Sequence, residues 1–324
     1  MVGAAVPDNE GERMSRVAAI DCGTNSIRLL VADVDPESGT LRDLDRRMEI
    51  VRLGQDVDRT GRLAPEALER TFAAAEVYAR RCEELGVERI RFVATSASRD
   101  AENRQEFVDG IKERLGVEPE IVTGSEEAAL SFAGATGDLL RSGARTPFLL
   151  VDIGGGSTEV VRGDHEVEAA RSVDIGCVRL TERRLHGDPP TSEEIAAAVA
   201  DVRAGLDEVE QDVSLEGVGT LVGVAGSVTT IAAHAMTLEH YDASRIHGVH
   251  LPVPDVVNAC DELLTMNREW RRALPYMHPG RVDVIGAGAL IWREVIGRVV
   301  ERSGLREVRV SEHDILDGIA LSIG

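Results

Sequence analysis

"LLVDIGGGSTEVV", residues 149–161, opens as a buried apolar strand and then places three glycines where the strand would continue. "AAIDCGTNSIRLL", residues 18–30, reads in step with it: Asp21 matches Asp152, Gly23 matches Gly154 and Ser26 matches Ser157, each pair 131 positions apart. A strand that ends in Asp, turns on glycines and resumes as a second strand makes a tight hairpin with backbone N–H groups at its tip. Such turns form anion nests, and glycine lets the backbone approach a phosphate closely. Thr24, Ser26, Ser157 and Thr158 add hydroxyl donors. The two aspartates cannot serve a phosphate directly, since like charges repel, but each can hold a Mg²⁺, or a water on it, that bridges to the phosphate. A single such turn is as readily an ordinary Gly-rich hairpin. Two copies in register imply duplicated domains whose loops face each other across a cleft, one gripping phosphate from each side.

The rest of the chain suits that plan. Strand-like runs such as "RIRFVAT" alternate with helical ones such as "PEALERTFAAAEVYARRCEELG", where Pro65 marks a start and Gly86 a stop. Alternation of this kind means α/β layers. Ser125 is the expected cap of the helix in "SEEAALSFAGATGDLL", and Ser311 with Asp314 the expected capping box of the last helix. The reading divides the chain into an acidic tail over 1–15, a first domain over 16–135 and a second over 136–324. The last helix, about 312–324, is expected to pack back on the first domain.

Composition narrows the partners. The formal net charge of −21 makes the chain a poor general binder of nucleic acid or anionic membrane. A polyanion could bind only where arginines and backbone N–H groups gather in one cleft. Cys22, Cys82, Cys177 and Cys260 show no paired spacing and read as inert thiols of a reduced, cytoplasmic protein. No apolar run reaches the ~20 residues of a membrane span. The eight histidines contain no ligand pattern such as H-E-x-x-H. His234, His240, His247 and His250 read as core or surface residues rather than a zinc site, and His278 and His313 as structural or interfacial.

The paired turns resemble the phosphate loops of the actin-like ATPase superfamily, and "VGVAGSVTT", 222–230, resembles its third Gly-rich loop. More narrowly, "AAIDCGTNSIRLLVAD", "VATSASRDAEN", "VTGSEEAALSFAGA", "VDIGGGSTEVV" and "VSEHDILDGIA" together resemble the Ppx/GppA family of exopolyphosphatases and guanosine pentaphosphate phosphatases, in its short, actinobacterial form. The resemblance implies two duplicated actin-like (ribonuclease H-like) domains with the active site between them. It also implies Mg²⁺, with a monovalent cation such as K⁺ as a second expectation, and a homodimer.

Residue by residue, the resemblance makes Glu127 the catalytic carboxylate, aligning and deprotonating the attacking water. From the residues alone, Glu126 and Glu127 are equally well first-turn acids favoured by the helix dipole. Arg99 is expected to face the phosphate with a bidentate guanidinium. Arg28 either reaches the substrate or braces its domain. Gly23, Thr24, Asn25, Ser26, Gly154, Gly155, Gly156, Ser157, Gly226 and Ser227 are expected to line the phosphate track. Asp152, with Asp21 opposite, is the expected metal contact. Glu159, in the slot that Arg28 fills in the first copy, is either a further metal ligand or a partner for Arg28 across the cleft. Arg179, Arg183 and Arg184 either extend a basic path or form a solvated helix face.

The leading expectation is an exopolyphosphatase releasing orthophosphate from polyphosphate ends, with short to medium chains preferred. The alternatives are a guanosine pentaphosphate (pppGpp) 5′-phosphatase, a sugar or acid kinase on the same fold, and a non-catalytic sensor of alarmone or polyphosphate.

Overall fold

The computed structural model describes residues 14–35 and 39–324, so most of the expected acidic tail lies outside the described residues. Strands β1 (Ser15–Cys22), β2 (Ser26–Asp35) and β3 (Thr40–Ile50) form an antiparallel meander. After α1 (Val57–Thr60) and α2 (Pro65–Leu85) comes β4 (Arg89–Ala94), and after α3 (Ser96–Asp100) and α4 (Arg104–Leu115) comes β5 (Glu120–Ile121). Strands β4 and β5 add in parallel beside β1, giving the order β3-β2-β1-β4-β5. Helix α2 starts and stops where its sequence signals fall, with Pro65 in the first turn and Gly86 at φ +66 as the left-handed cap.

The long helix α5 (Gly124–Arg141) leads to the second half. Its meander is β6 (Phe148–Ile153), β7 (Thr158–Gly163) and β8 (Val167–Val173). Then follow α6 (Cys177–Arg184), α7 (Ser192–Asp212), β9 (Thr220–Val224), α8 (Ala225–Ala235) and α9 (Ala243–Ile246). The chain closes with β10 (His250–Pro252), α10 (Val253–Thr265), α11 (Arg268–Ala273), α12 (Ile285–Ser303), β11 (Glu307–Val310) and α13 (Ile315–Leu321). The sheet runs β10-β11-β9-β6-β7-β8, so five of its strands repeat the first sheet and β10 is an added edge. The architecture is α/β, with the duplicated plan that the paired turns imply.

The central strands are apolar at nearly every position because both faces are covered. Alternation then sorts the side chains: Ala18, Ile20 and Cys22 join the core under α2 and α4, with Tyr78 and Phe107. Val17 and Ala19 point the other way, onto Ile315, Leu316, Ile319 and Ala320 of α13. Helix α5 does the reverse, laying Ala128, Phe132, Ala135 and Leu139 on Phe148, Leu150 and Val222 of the second sheet. Each half is therefore roofed by a helix that follows the other half in sequence. The two helices cross at Gly134 and Gly318, where an added Cβ would stand 1.9 Å from the Asp314 and Leu130 carbonyl oxygens respectively.

Two helix starts differ from expectation. Thr123, not Ser125, caps α5, its side chain accepting the Glu126 N–H at 3.2 Å. The last helix begins after Asp314, which accepts the Leu316 N–H while Asp317 accepts the Asp314 N–H. Ser311 is engaged instead with the backbone of His313. The capping box sits three positions further along, on Asp314 and Asp317, because an Asp side chain accepts a first-turn N–H as well as a Ser does. Among the described residues, no helix is long and apolar enough to cross a membrane.

Candidate active site

The two hairpins close identically. The Gly23 N–H donates to the Ser26 carbonyl at 2.9 Å and the Gly154 N–H to the Ser157 carbonyl at 3.0 Å. Register pairs Asp21 with Arg28 in one and Asp152 with Glu159 in the other. The tips meet: a Cβ on Gly155 would stand 2.8 Å from the Thr24 Cβ, and one on Gly156 2.6 Å from the Ser96 Oγ. Glycine is required here by the close approach of the opposite domain, a demand the sequence reading did not separate from phosphate approach. A third turn joins β9 to α8 with Ala225 at φ +67, a left-handed conformation that costs a non-glycine residue on the order of 1 kcal/mol or more. Among the described residues no side chain caps α8, and its first residues, Ala225, Gly226 and Ser227, line the cleft. Open N–H groups at a helix start favour an anion.

One interdomain cavity is lined by Asp21, Gly23, Thr24, Asn25, Ser26, Arg28, Glu127, Asp152, Gly154, Gly155, Ser157, Gly226 and Ser227. Three of the expected site residues, Arg99, Gly156 and Glu159, do not line it. Gly156 is under the domain contact. Arg99 turns to the start of α5, donating to the Val122 carbonyl at 2.9 Å and to Glu127 Oε2 at 3.2 Å. It compensates the charge of a buried carboxylate instead of facing the cavity. Glu159, 1% exposed, lies behind Asp152 and accepts the Ser172 hydroxyl at 2.7 Å.

Four carboxylates crowd this region, and all are buried: Asp21, Glu127, Asp152 and Glu159. Burial, then the charge of Glu159, raises Glu127 well above its ordinary value, against the pull of Arg99. Burial, with Glu159 and Asp314, pushes Asp152 up to about 8, and its Oδ2 accepts the Ser131 hydroxyl at 2.6 Å. Burial also raises Asp21 and Glu159. Burial, more than mutual repulsion, disfavours the charged form of each of these acids, and the site is short of positive charge. An all-oxygen donor set of this kind fits a hard divalent cation such as Mg²⁺, with Asp21, Glu127 and Asp152 the carboxylates that line the cavity.

Arg28 does not pair with Glu159. Its guanidinium is held at 2.7 Å by Asp21 and at 2.5 Å by Asp314, which leads into α13. Although burial acts to raise Asp314, Arg28 holds it below its ordinary value. Arg179, Arg183 and Arg184 do not form a basic path either, because each is neutralised. Arg179 pairs with Asp58 and Asp100, Arg183 with Asp58, and Arg184 with Asp201. The first two arginines thereby tie α6 to the first domain.

A sequence model of the Ppx/GppA phosphatase family matches residues 30–323. The chain belongs to this family. Exopolyphosphatase 2 of Mycobacterium tuberculosis is 52% identical over 317 residues, 96% of this chain and 99% of that one. A crystal structure of an exopolyphosphatase-like protein superposes with a TM-score of 0.93 at 45% identity, covering 96% of this chain and 98% of the other. The guanosine-5′-triphosphate,3′-diphosphate pyrophosphatase of Photobacterium profundum is 31% identical over 215 residues, which are 66% of this chain and 42% of that protein.

This Ppx/GppA chain also places in its cleft residues that the sequence did not single out. Thr95 and Ser96 line it, and Thr24 and Ser96 bond hydroxyl to hydroxyl at 2.9 Å. Arg281 covers Gly226, donating to Thr230 Oγ1 at 3.0 Å. Arg281 and Arg28 are the two cations lining the cavity, and among the described residues Arg281 has no carboxylate within ion-pair distance. Its short 3₁₀ turn, Pro279–Arg281, carries no motif, so nothing in the sequence distinguishes it from a surface arginine.

Proposed function

We propose that the chain is an exopolyphosphatase, hydrolysing the terminal phosphoanhydride of inorganic polyphosphate. One observation carries the reading: Glu127 opens, buried, into a cavity walled on both sides by matched Gly-rich hairpins. The terminal phosphoryl group lies between the two tips and the start of α8, where backbone N–H groups and the hydroxyls of Thr24, Ser26, Ser157 and Ser227 surround its oxygens. Arg281, the cation without a carboxylate, grips the phosphate oxygens. Asp152 and Asp21 would hold a Mg²⁺, which would supply charge neutralisation on those oxygens.

Glu127 orients a water and takes its proton as the water oxygen bonds to phosphorus. The bond to the bridging oxygen breaks, and its electron pair leaves with the shortened chain. Arg99 keeps Glu127 able to ionise inside the protein and fixes its direction. Glu159 opposes that ionisation through its own charge.

A second reading, cleavage of the 5′ end of guanosine pentaphosphate, is favoured by a neighbouring cavity of about 460 Å³. It shares Arg28, Met48, Gly226 and Arg281 with the first and adds Tyr241, Tyr276, Met277 and His278, so it has room for a nucleoside. Orthophosphate release from short polyphosphate, long polyphosphate, guanosine pentaphosphate and ATP, each with Mg²⁺, tests both readings. Release from polyphosphate supports the first. Turnover of guanosine pentaphosphate alone supports the second, and silence on all four contradicts both.

A further inference from the structure

Away from the cleft, three side chains remote in sequence meet where α5 passes the entry to α13. Asp138 stands near the end of α5, His247 is the residue after α9, and His313 precedes the cap Asp314. His313 Nδ1 lies 3.0 Å and His247 Nε2 3.4 Å from the same oxygen, Asp138 Oδ2. The two rings have centroids 4.4 Å apart. One ligand atom from each of the three falls within 4.8 Å of the others.

The spacing suits a common ion. Bonds of about 2.1 Å to a tetrahedral centre put ligand atoms roughly 3.4 Å apart, close to the 3.0 and 3.4 Å found here. Two imidazoles and one carboxylate are a donor set for a borderline transition metal, not for Mg²⁺, which prefers oxygen throughout. Asp317 Oδ1 stands 4.0 Å from His313 Nε2. That is beyond hydrogen-bond distance, and the oxygen accepts from Arg46 Nη2 at 2.6 Å, so Asp317 adds negative charge near the ring without bonding it. Arg141 holds the other oxygen of Asp138, leaving Oδ2 for the ion. Coordination through His247 Nε2 moves that ring's proton to Nδ1 and so releases a long contact, 3.3 Å, from the Glu312 N–H.

We propose that Asp138, His247 and His313 form a binding site for a Zn²⁺-type divalent ion, with water completing the coordination, separate from the acidic cleft. The ion clips α5 to the segment that carries Asp314, whose carboxylate holds Arg28 of the first hairpin. Occupancy therefore stiffens the crossing of α5 and α13, about which the halves are joined.

The test is a Zn²⁺ titration of the full chain against a chromophoric chelator, in buffer saturated with Mg²⁺, with Co²⁺ absorption as a parallel probe. Wild type is expected to take up one equivalent and to show the visible band of Co²⁺ bound by nitrogen and oxygen. His313→Gln and His247→Gln are each expected to weaken binding at least tenfold, a loss at the lower end of that seen for outer-shell changes alone. Asp152→Asn is expected to bind as wild type. Circular dichroism confirms that each variant is folded, and His313→Ala replaces any that is not. Failure of wild type to compete with the chelator overturns the proposal. So does equal binding by both His variants, or loss of the ion in Asp152→Asn.

Discussion

Arg28 lies in the first hairpin, and its substitution separates bracing from substrate binding. The side chain is 21% exposed, while Asp21 and Asp314 beside it are 7% and 4% exposed. Arg28→Met keeps the apolar stem and removes the charge, leaving two buried aspartates without their shared cation. Removing one partner of a buried ion pair costs roughly 3–5 kcal/mol. At about 2 °C per kcal/mol for a chain of this size, the melting temperature should fall by roughly 6–10 °C. Asp314→Asn loses the same bond from the other side, so the double variant should cost less than the two singles added together. Urea unfolding of wild type, both singles and the double measures this, and phosphate release gives KM on the same samples. The reasoning is refuted if Arg28→Met unfolds within about 1 kcal/mol of wild type while its KM rises tenfold or more. Arg28 would then belong to the substrate.

Three further outcomes follow from the geometry. Gly134→Ala puts a Cβ 1.9 Å from the Asp314 carbonyl oxygen, backbone against backbone, and should cost about 1–3 kcal/mol in thermal unfolding; stability unchanged within 0.5 kcal/mol would contradict the close crossing. Arg281→Ala should raise KM for polyphosphate about tenfold or more with little loss of stability, since no ion pair is broken; an unaltered KM removes it from the phosphate track. Without Mg²⁺, stability should fall as pH rises from about 4 towards 8. The folded-state value of Asp152 is about 8 against 3.8 unfolded, so the unfolded state loses its proton first. Mg²⁺ should reverse that fall, and melting curves in chelator and in Mg²⁺ that show the same pH dependence would count against a cation among these acids.

The duplicated turn was legible because a hairpin is local. Asp, Gly and Ser at fixed spacing determine its closure, and the second copy removes the ambiguity of the first. The central strands were legible for the same kind of reason, since burial on both faces demands an unbroken apolar run. What the sequence hid depends on which distant elements meet. Arg28 looks the same in sequence whether it meets phosphate or Asp314, 286 positions away. Arg99 belongs to a polar loop in the sequence and to Glu127 in the fold. Arg179 and Arg183 read as either a basic path or a solvated helix face until α6 is set against Asp58. The cluster of Asp138, His247 and His313 left no trace, because its members come from three separate elements.

Glu127 as the group that activates water is the centre of the account, and Glu127→Gln tests it most directly. The amide keeps the shape and neighbours of the side chain but cannot accept the water's proton. Single-turnover phosphate release and equilibrium polyphosphate binding are measured on the same preparation, with Mg²⁺ at saturation. The account predicts release slowed by at least two orders of magnitude, the usual worth of a general base, with affinity within a few-fold of wild type. Release at the wild-type rate would contradict it, as would a loss of binding that accounts for the whole loss of activity.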